Sequence, residues 1–353
     1  MRGLKRVLEL PFRKLPPVGT TPHVVVHEEN KWKLLRYQVP GAVVKYTEPV
    51  LLVPSLINRH YVLDLLPGKS FAEWLCLQGF DVYCIDWGTP GDEDRYLSLD
   101  TIFDRYVGRA IKKTATTAGV EKIHVLGYCL GGTMAVCHTA LRPEKVLTLT
   151  ALATPIVFSD DGLLSKWTNV TTLKPKAIAD GLGNVPWQLL HATFKMLRPT
   201  LDLSKAVHVL DRQWDDESFE GFLALETWGN DSVSFPGACF TRYIEDLYQS
   251  DALIRGTFEL SGKRIHLSDV KCPTHVVTFE HDHIVPWKGA RALVDEISAT
   301  DKEWLHLSGS HVGAVVSKSA TTKLWPKLLK FWVDRSTPVL EADVTPVRAA
   351  LSE

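Results

Sequence analysis

Cys129 lies in the run His124-Val125-Leu126-Gly127-Tyr128-Cys129-Leu130-Gly131-Gly132, followed by Thr133-Met134-Ala135-Val136-Cys137. The first stretch reads as a strand and the last as a helix. The Gly-x-Cys-x-Gly-Gly segment between them is therefore a tight turn with sulfur at its tip, the layout of a nucleophile elbow. Its glycines let the strand behind and the helix ahead approach closely enough to present the thiol. The first N–H groups of the helix point at the same spot, so Leu130 is a candidate oxyanion donor, and the helix dipole there favours a thiolate. By residue type alone Cys129 is one of six small apolar cysteines. The glycine frame makes it a nucleophile, provided that an acid and then a histidine follow in that order.

Both follow. The β-branched run Thr274-His275-Val276-Val277-Thr278-Phe279 ends in Glu280-His281-Asp282-His283-Ile284-Val285-Pro286-Trp287, which places Asp282 just past a late strand. Glu280 is a rival acid, but it lies closer to the strand body. His311 follows the strand Trp304-Leu305-His306-Leu307, in the loop Ser308-Gly309-Ser310-His311-Val312-Gly313. His275, His281, His283 and His306 compete for the role of base. His311 is favoured because it stands between two glycines beyond a strand, whereas His275 and His306 fall inside strands.

The elements that must position these groups alternate. Strands are expected at Val50–Pro54, Asp81–Asp86, Lys122–Gly127, Leu147–Leu152, Thr274–Phe279 and Glu303–Leu307. Leu99, Ile102, Phe103, Tyr106, Val107 and Ala110 recur at helical spacing, with Ser98 or Asp100 as the cap. The helix after the elbow ends before Pro143, and 323–334 reads as a closing helix. This is an α/β fold, a mostly parallel sheet with helices on both faces. The alternation stops between about Pro155 and Leu267, a stretch that holds Trp167, Trp187, Trp214 and Trp228 amid helix-like pieces.

At 353 residues, with 45% hydrophobic residues and a formal net charge of −1, the chain is long enough for a large core and has no bias toward nucleic acid. Cysteines at 76, 84, 129, 137, 239 and 272 show neither metal-ligand spacing nor the density of a small disulfide scaffold, so a reducing, cytoplasmic setting is expected. No apolar run is long enough to span a bilayer, and charges interrupt the first ten residues where a signal-peptide core would lie. That segment mixes Leu4, Val7, Leu8 and Leu10 with Arg2, Lys5, Arg6, Arg13 and Lys14. It suits either a hydrophobic surface or an ordinary frayed helix. No internal repeat, low-complexity segment, phosphate loop or metal-ligand cluster stands out.

Together these residues resemble the polyhydroxyalkanoate synthases, Cys-dependent polyester polymerases of the α/β-hydrolase superfamily. The resemblance is carried by Val53-Pro54-Ser55-Leu56-Ile57-Asn58-Arg59-His60-Tyr61-Val62-Leu63-Asp64-Leu65, Val82-Tyr83-Cys84-Ile85-Asp86-Trp87-Gly88, the Gly-Tyr-Cys-Leu-Gly-Gly box, Asp282-His283-Ile284-Val285-Pro286-Trp287 and Gly309-Ser310-His311-Val312-Gly313. It runs over about residues 25 to 335. The chain departs from the common pattern at Ser55-Leu56 and at Ser310, where neither change removes a reacting group.

The resemblance implies an α/β-hydrolase catalytic core at 25–154 and 268–335, a helical cap inserted at 155–267, an N-terminal segment at 1–24 and a loose tail at 336–353. It also implies the catalytic set Cys129, Asp282 and His311, with Asp282 helping His311 to activate a 3-hydroxyl group. Leu130 and Ile57 are the expected oxyanion donors, and Asp64 and His283 match family positions in supporting roles. The substrate would be a 3-hydroxyacyl-CoA, most simply 3-hydroxybutyryl-CoA, added to a growing polyester chain with neither cofactor nor metal. The short chain resembles the two-subunit class, so a second, non-catalytic subunit, a homo-oligomer and a place at the polyester granule surface are expected. Two alternatives remain: a Cys-dependent thioesterase or acyltransferase on the same scaffold, and a catalytically silent scaffold subunit, against which the complete constellation argues.

Overall fold

The structure is a computed structural model that describes residues 15–197, 216–317 and 319–340. The first strands among the described residues are an antiparallel pair, β1 (His23–Glu29) and β2 (Trp32–Tyr37). They are joined by a turn in which Asn30 takes the left-handed conformation at φ 55°, a geometry that Asn tolerates better than most residues. Further strands are β3 (Val50–Val53), β4 (Val82–Asp86), β5 (Ile123–Tyr128) and β6 (Val146–Leu152). β7 (Glu259–Leu260) and β8 (Lys263–Arg264) form a small separate hairpin. β9 (Thr274–Phe279) and β10 (Lys302–Leu307) complete the main sheet, whose order is β1-β2-β4-β3-β5-β6-β9-β10.

Every pairing from β4 through β10 in that order is parallel, and only the β1–β2–β4 side is antiparallel. All residues of β3, β5 and β9 are buried, as expected when helices cover both faces of a parallel sheet. The six expected strands are all present, with ends shifted by at most a residue. The strands β1 and β2 were not foreseen, and β1 crosses the expected boundary at residue 24. Its apolar run is only Val24-Val25-Val26, and its side chains remain largely half-exposed, so it lacks the buried pattern that marks the inner strands.

Among the described residues the α-helices are α1 (Phe71–Gln78), α2 (Val107–Ala118), α3 (Leu130–Leu141), α4 (Leu163–Thr168), α5 (Pro175–Leu182), α6 (Trp187–Met196), α7 (Asp216–Asn230), α8 (Gly237–Arg242), α9 (Trp287–Glu296), α10 (Gly313–Val316) and α11 (Trp325–Val333). Ser70 caps α1 by accepting from the Glu73 N–H at 3.0 Å. Before α2 the chain makes a π-type turn over Thr101–Tyr106. Of the two caps considered there, Ser98 is used and accepts from the Thr101 N–H at 3.1 Å. Asp100 turns away to Arg242, at 2.8 Å.

Alternation along the strands divides the core into two layers. Leu51, Val53 and Val125 face α2 and α3, while Val50, Leu52 and Leu126 face α1 and α11. In α11, Trp325, Leu328, Phe331 and Trp332 are all buried, and each such side chain contributes about 1.5–3 kcal/mol by leaving water. Residues 336–340, expected to be part of a loose tail, are tied down. Tyr46 pairs with Pro338, the Thr47 N–H donates to Thr337 O, and Thr337 N–H donates to Glu48. Residues 341–353 lie outside the described residues.

Within 155–267 the described chain is mainly helical, α4 to α8. From Cys239 onward, Leu247, Leu253, Phe258, Leu260 and Ile265 join the same apolar layer as α2 and α3, whereas α6 has no fully buried residue. Trp228 is buried, Trp167 and Trp187 are half-buried, and Trp214 lies outside the described residues. So do residues 1–14, on which the amphipathic reading of the N-terminus rests. Among the described residues no helix is long and apolar enough to cross a membrane.

Candidate active site

Strand β5 delivers Cys129 into a turn with φ 56° and ψ −129°, a backbone region that a residue with a Cβ adopts only under strain. The turn is held at both ends: Cys129 N–H donates to Leu152 O at 3.0 Å, and Gly132 N–H donates to Cys129 O at 2.8 Å. Close approach explains the glycines. A Cβ on Gly131 would overlap the carbonyls of Val53 and Pro54, and one on Gly127 would overlap the backbone of Gly132. The start of the loop that carries Ile57 is thus pressed directly against the elbow. Leu130 is the first residue of α3, so its N–H has no carbonyl partner within the helix.

The turn after β9 presents Asp282 and the turn after β10 presents His311. The two turns are laced together by Glu280 N–H to Leu307 O at 3.0 Å and His281 N–H to Gly309 O at 2.9 Å. Asp282 Oδ1 accepts from the N–H groups of Ile284 and Val285 at 2.9 and 2.8 Å. Its other oxygen, Oδ2, lies 2.7 Å from His311 Nδ1. With a carboxylate as acceptor, Nδ1 donates the proton, which leaves Nε2 as the ring nitrogen that can serve Cys129. Both Asp282 and His311 are buried. Burial disfavours the imidazolium, but Asp282 and Cys129 outweigh it and hold the His311 pKa well above the ordinary range.

The structure therefore brings Cys129 beside the hydrogen-bonded pair of His311 and Asp282. The rivals are elsewhere. Glu280 is exposed and engages His306 Nε2 at 2.7 Å. His275 is buried against Phe331 with its pKa pushed down to about 4 by desolvation, and His281 is exposed. His283 is exposed too and takes no part in the bonds that hold Asp282. Asp64 is buried and accepts from the Thr21 hydroxyl and N–H, while its own N–H donates to Tyr61 O. Its contacts fasten the chain before β1 to the loop after β3.

Two features were not anticipated. Tyr128 is fully buried, its hydroxyl donates to His311 O at 3.2 Å, and its ring lies 5.2 Å from the imidazole. Tyr243 and Tyr248 are buried and pack edge to face with ring centroids 5.5 Å apart. With Phe158, 4.9 Å from Tyr248, they build an aromatic wall. Tyr128 could have been suspected from its place beside the nucleophile, whereas the wall is assembled from residues with no common spacing.

Comparison with known proteins agrees with this geometry. The family model for the alpha/beta hydrolase fold matches residues 48–317, and that for the poly-beta-hydroxybutyrate polymerase N-terminus matches residues 15–75. The chain is 35% identical over 320 residues to the poly(3-hydroxyalkanoate) polymerase subunit PhaC of Allochromatium vinosum, covering 90% of each chain. It is 36% identical over 321 residues to the protein of the same name from Haloferax mediterranei, covering 90% of this chain and 65% of that one. In fold it is similar to a monoglyceride lipase from Saccharomyces cerevisiae, with a TM-score of 0.61 at 13% identity, over 92% of this chain and all of the other. The elbow, the acid and histidine turns and the polymerase matches over most of the length agree: the chain belongs to the poly(3-hydroxyalkanoate) polymerase family of α/β-hydrolase-fold enzymes.

Proposed function

We propose that the chain joins (R)-3-hydroxyacyl units from their CoA thioesters into polyester through a covalent thioester on Cys129. The observation that carries this reading is the hydrogen-bonded pair of His311 and Asp282 set beside Cys129 at the elbow, with the acid after the nucleophile in the chain and the base last. His311 takes the thiol proton. The thiolate attacks the acyl carbonyl, an S–C bond to Cys129 forms, the S–C bond to CoA breaks, and CoA leaves with the proton from His311. The N–H groups of Leu130 and Ile57 hold the transient oxyanion.

Extension requires a hydroxyl. The 3-hydroxyl of an incoming or enzyme-held unit loses its proton to the His311–Asp282 pair and attacks the thioester; a C–O bond forms, the S–C bond to Cys129 breaks, and the leaving thiolate takes that proton back from His311. The aromatic wall of Phe158, Tyr243 and Tyr248 favours this outcome by limiting water at the thiol. Hydrolysis is the competing reading, supported by the half-buried state of Cys129. This chemistry calls on no metal or cofactor.

A second, non-catalytic subunit fits the apolar side chains that the cap exposes, among them Leu182, Leu189 and Met196 at 46–58% exposure. A granule surface would meet the same side chains. The deciding experiment is incubation with 3-hydroxybutyryl-CoA, with and without a co-encoded partner, measuring CoA release and product length. Long polyester supports the synthase; free 3-hydroxybutyrate in step with CoA supports a thioesterase. A partner that shortens a lag in CoA release supports the two-subunit reading.

A further inference from the structure

The loop that leaves β3 and carries Ile57 continues through Asn58, Arg59, His60 and Tyr61, and from there it is bonded across to the cap. Arg59 Nε donates to Asp231 Oδ1 at 3.0 Å, and the Tyr61 hydroxyl donates to Asp231 Oδ2 at 2.6 Å. One carboxylate, just past the end of α7, is therefore held by two side chains of the loop. The two segments are joined again beside it: the Trp228 indole Nε1 donates to Arg59 O at 2.9 Å, and the main chains of Asn58 and Ser232 pair in an isolated antiparallel bridge. On its other side Arg59 Nη1 reaches Thr89 Oγ1 at 3.0 Å.

The Asp231 side chain is 43% exposed, and an ion pair so open to water contributes little to folding. Its geometry does something else. Two fixed donors on Arg59 and Tyr61 leave the loop one orientation against the cap, and Ile57 lies two residues upstream of the first of them. We propose that Asp231 is a positioning residue for the oxyanion hole: it holds Arg59 and Tyr61 so that the Ile57 N–H faces the elbow only while the cap is docked on the loop. This rests on the reading of Cys129 and Ile57 given under the proposed function. Its consequence is that closing the cap against water and completing the oxyanion hole are one event.

The test uses two reactions of the same thiol. Acylation by 3-hydroxybutyryl-CoA builds negative charge on a carbonyl oxygen, whereas alkylation by iodoacetamide displaces iodide at a saturated carbon and builds none. In the full chain, Asp231→Asn should slow acylation of Cys129 by about 10- to 100-fold, the scale of a displaced oxyanion donor. Tyr61→Phe, which deletes one hydroxyl, should slow it about tenfold. Alkylation in both variants should stay within about twofold of the parent, and kcat should fall more than KM rises. Acylation at the parental rate overturns the proposal, and so does an equal loss in both reactions, which would mean general disorder at the thiol. A parent enzyme that alkylates but never acylates would instead remove the thioester reading on which the proposal rests.

Discussion

The hydroxyl of Tyr128, the residue just before the proposed nucleophile, donates to the main-chain carbonyl of His311, the proposed base, at 3.2 Å, while its ring lies beside the imidazole at 5.2 Å. The end of β5 and the first residue of the turn after it thus carry, side by side, a support for the proposed base and the thiol. Tyr128→Phe keeps the ring but leaves a buried carbonyl without its donor, at a cost of about 1–3 kcal/mol. Acylation should slow roughly tenfold, and the melting temperature should fall by a few degrees. Unchanged acylation kinetics in a stopped-flow CoA-release assay would show that the ring alone suffices.

Thiol chemistry should be confined to one position. Cys76, Cys84, Cys137 and Cys239 are buried, and desolvation pushes their pKa values up. Cys272 is half-buried with its pKa raised to about 11. Cys129 is half-buried and lies beside His311. Limited iodoacetamide at neutral pH should therefore mark Cys129 first, as read by peptide mass mapping. Cys129→Ala should abolish CoA release and keep the parental circular dichroism. Residual turnover at more than about one thousandth of the parental rate would point to another nucleophile.

Exchanging the two partners of the thiol should separate two steps. His311→Gln removes the group proposed to generate the thiolate, so Cys129 acylation itself should fall by about 10²- to 10⁴-fold. Asp282→Asn should still acylate but fail to lengthen the chain, if Asp282 helps activate the attacking hydroxyl. Intact-mass spectra of the trapped adduct distinguish the outcomes. Equal losses of acylation would reduce Asp282 to an orienting role and favour the thioesterase.

Acid stability follows from three histidines outside the site. Desolvation lowers His124 to about 3, His138 to about 4 and His275 to about 4, against an ordinary value of 6.5. Between 6.5 and those values the unfolded chain binds more protons than the folded one, so stability falls as pH drops through this window. Each contributes on the order of a few kcal/mol when the window has been crossed. Urea midpoints measured from pH 7.5 to 4.5 should decline progressively, and His124→Gln, which can keep the bonds to Thr148 and Ser336, should flatten the decline. A parallel decline in that variant would assign the effect to other groups.

The elbow was legible because its glycines answer to local sterics that a short window displays. The inner strands were legible because burial on both faces leaves near-continuous apolar runs, as in Thr274–Phe279. Strands β1 and β2 were not, since Glu28, Glu29, Lys33 and Arg36 interrupt the apolar pattern at the sheet margin. Asp282 and His311 could be chosen over Glu280 and His306 because the turn beyond a parallel strand, and not the strand itself, faces the elbow. The Glu280–His306 pair at 2.7 Å shows how similar chemistry arises one step short of that edge. Tyr128 and Asp231 were missed because each acts through a partner between 170 and 183 residues away, a separation at which spacing carries no signal.

The sheet order sets β6 beside β9, so the thiol and its two partners become neighbours only after the chain has returned from the long excursion between Leu152 and Thr274. On a ribosome, domains assemble from the N-terminus as residues emerge, and Cys129 leaves the tunnel 182 residues ahead of His311. For that interval the nascent chain carries an elbow without its proposed base. Its chemistry is armed last, when β10 docks at the far margin of the sheet, so an incompletely synthesised chain holds the thiol but not the means to use it.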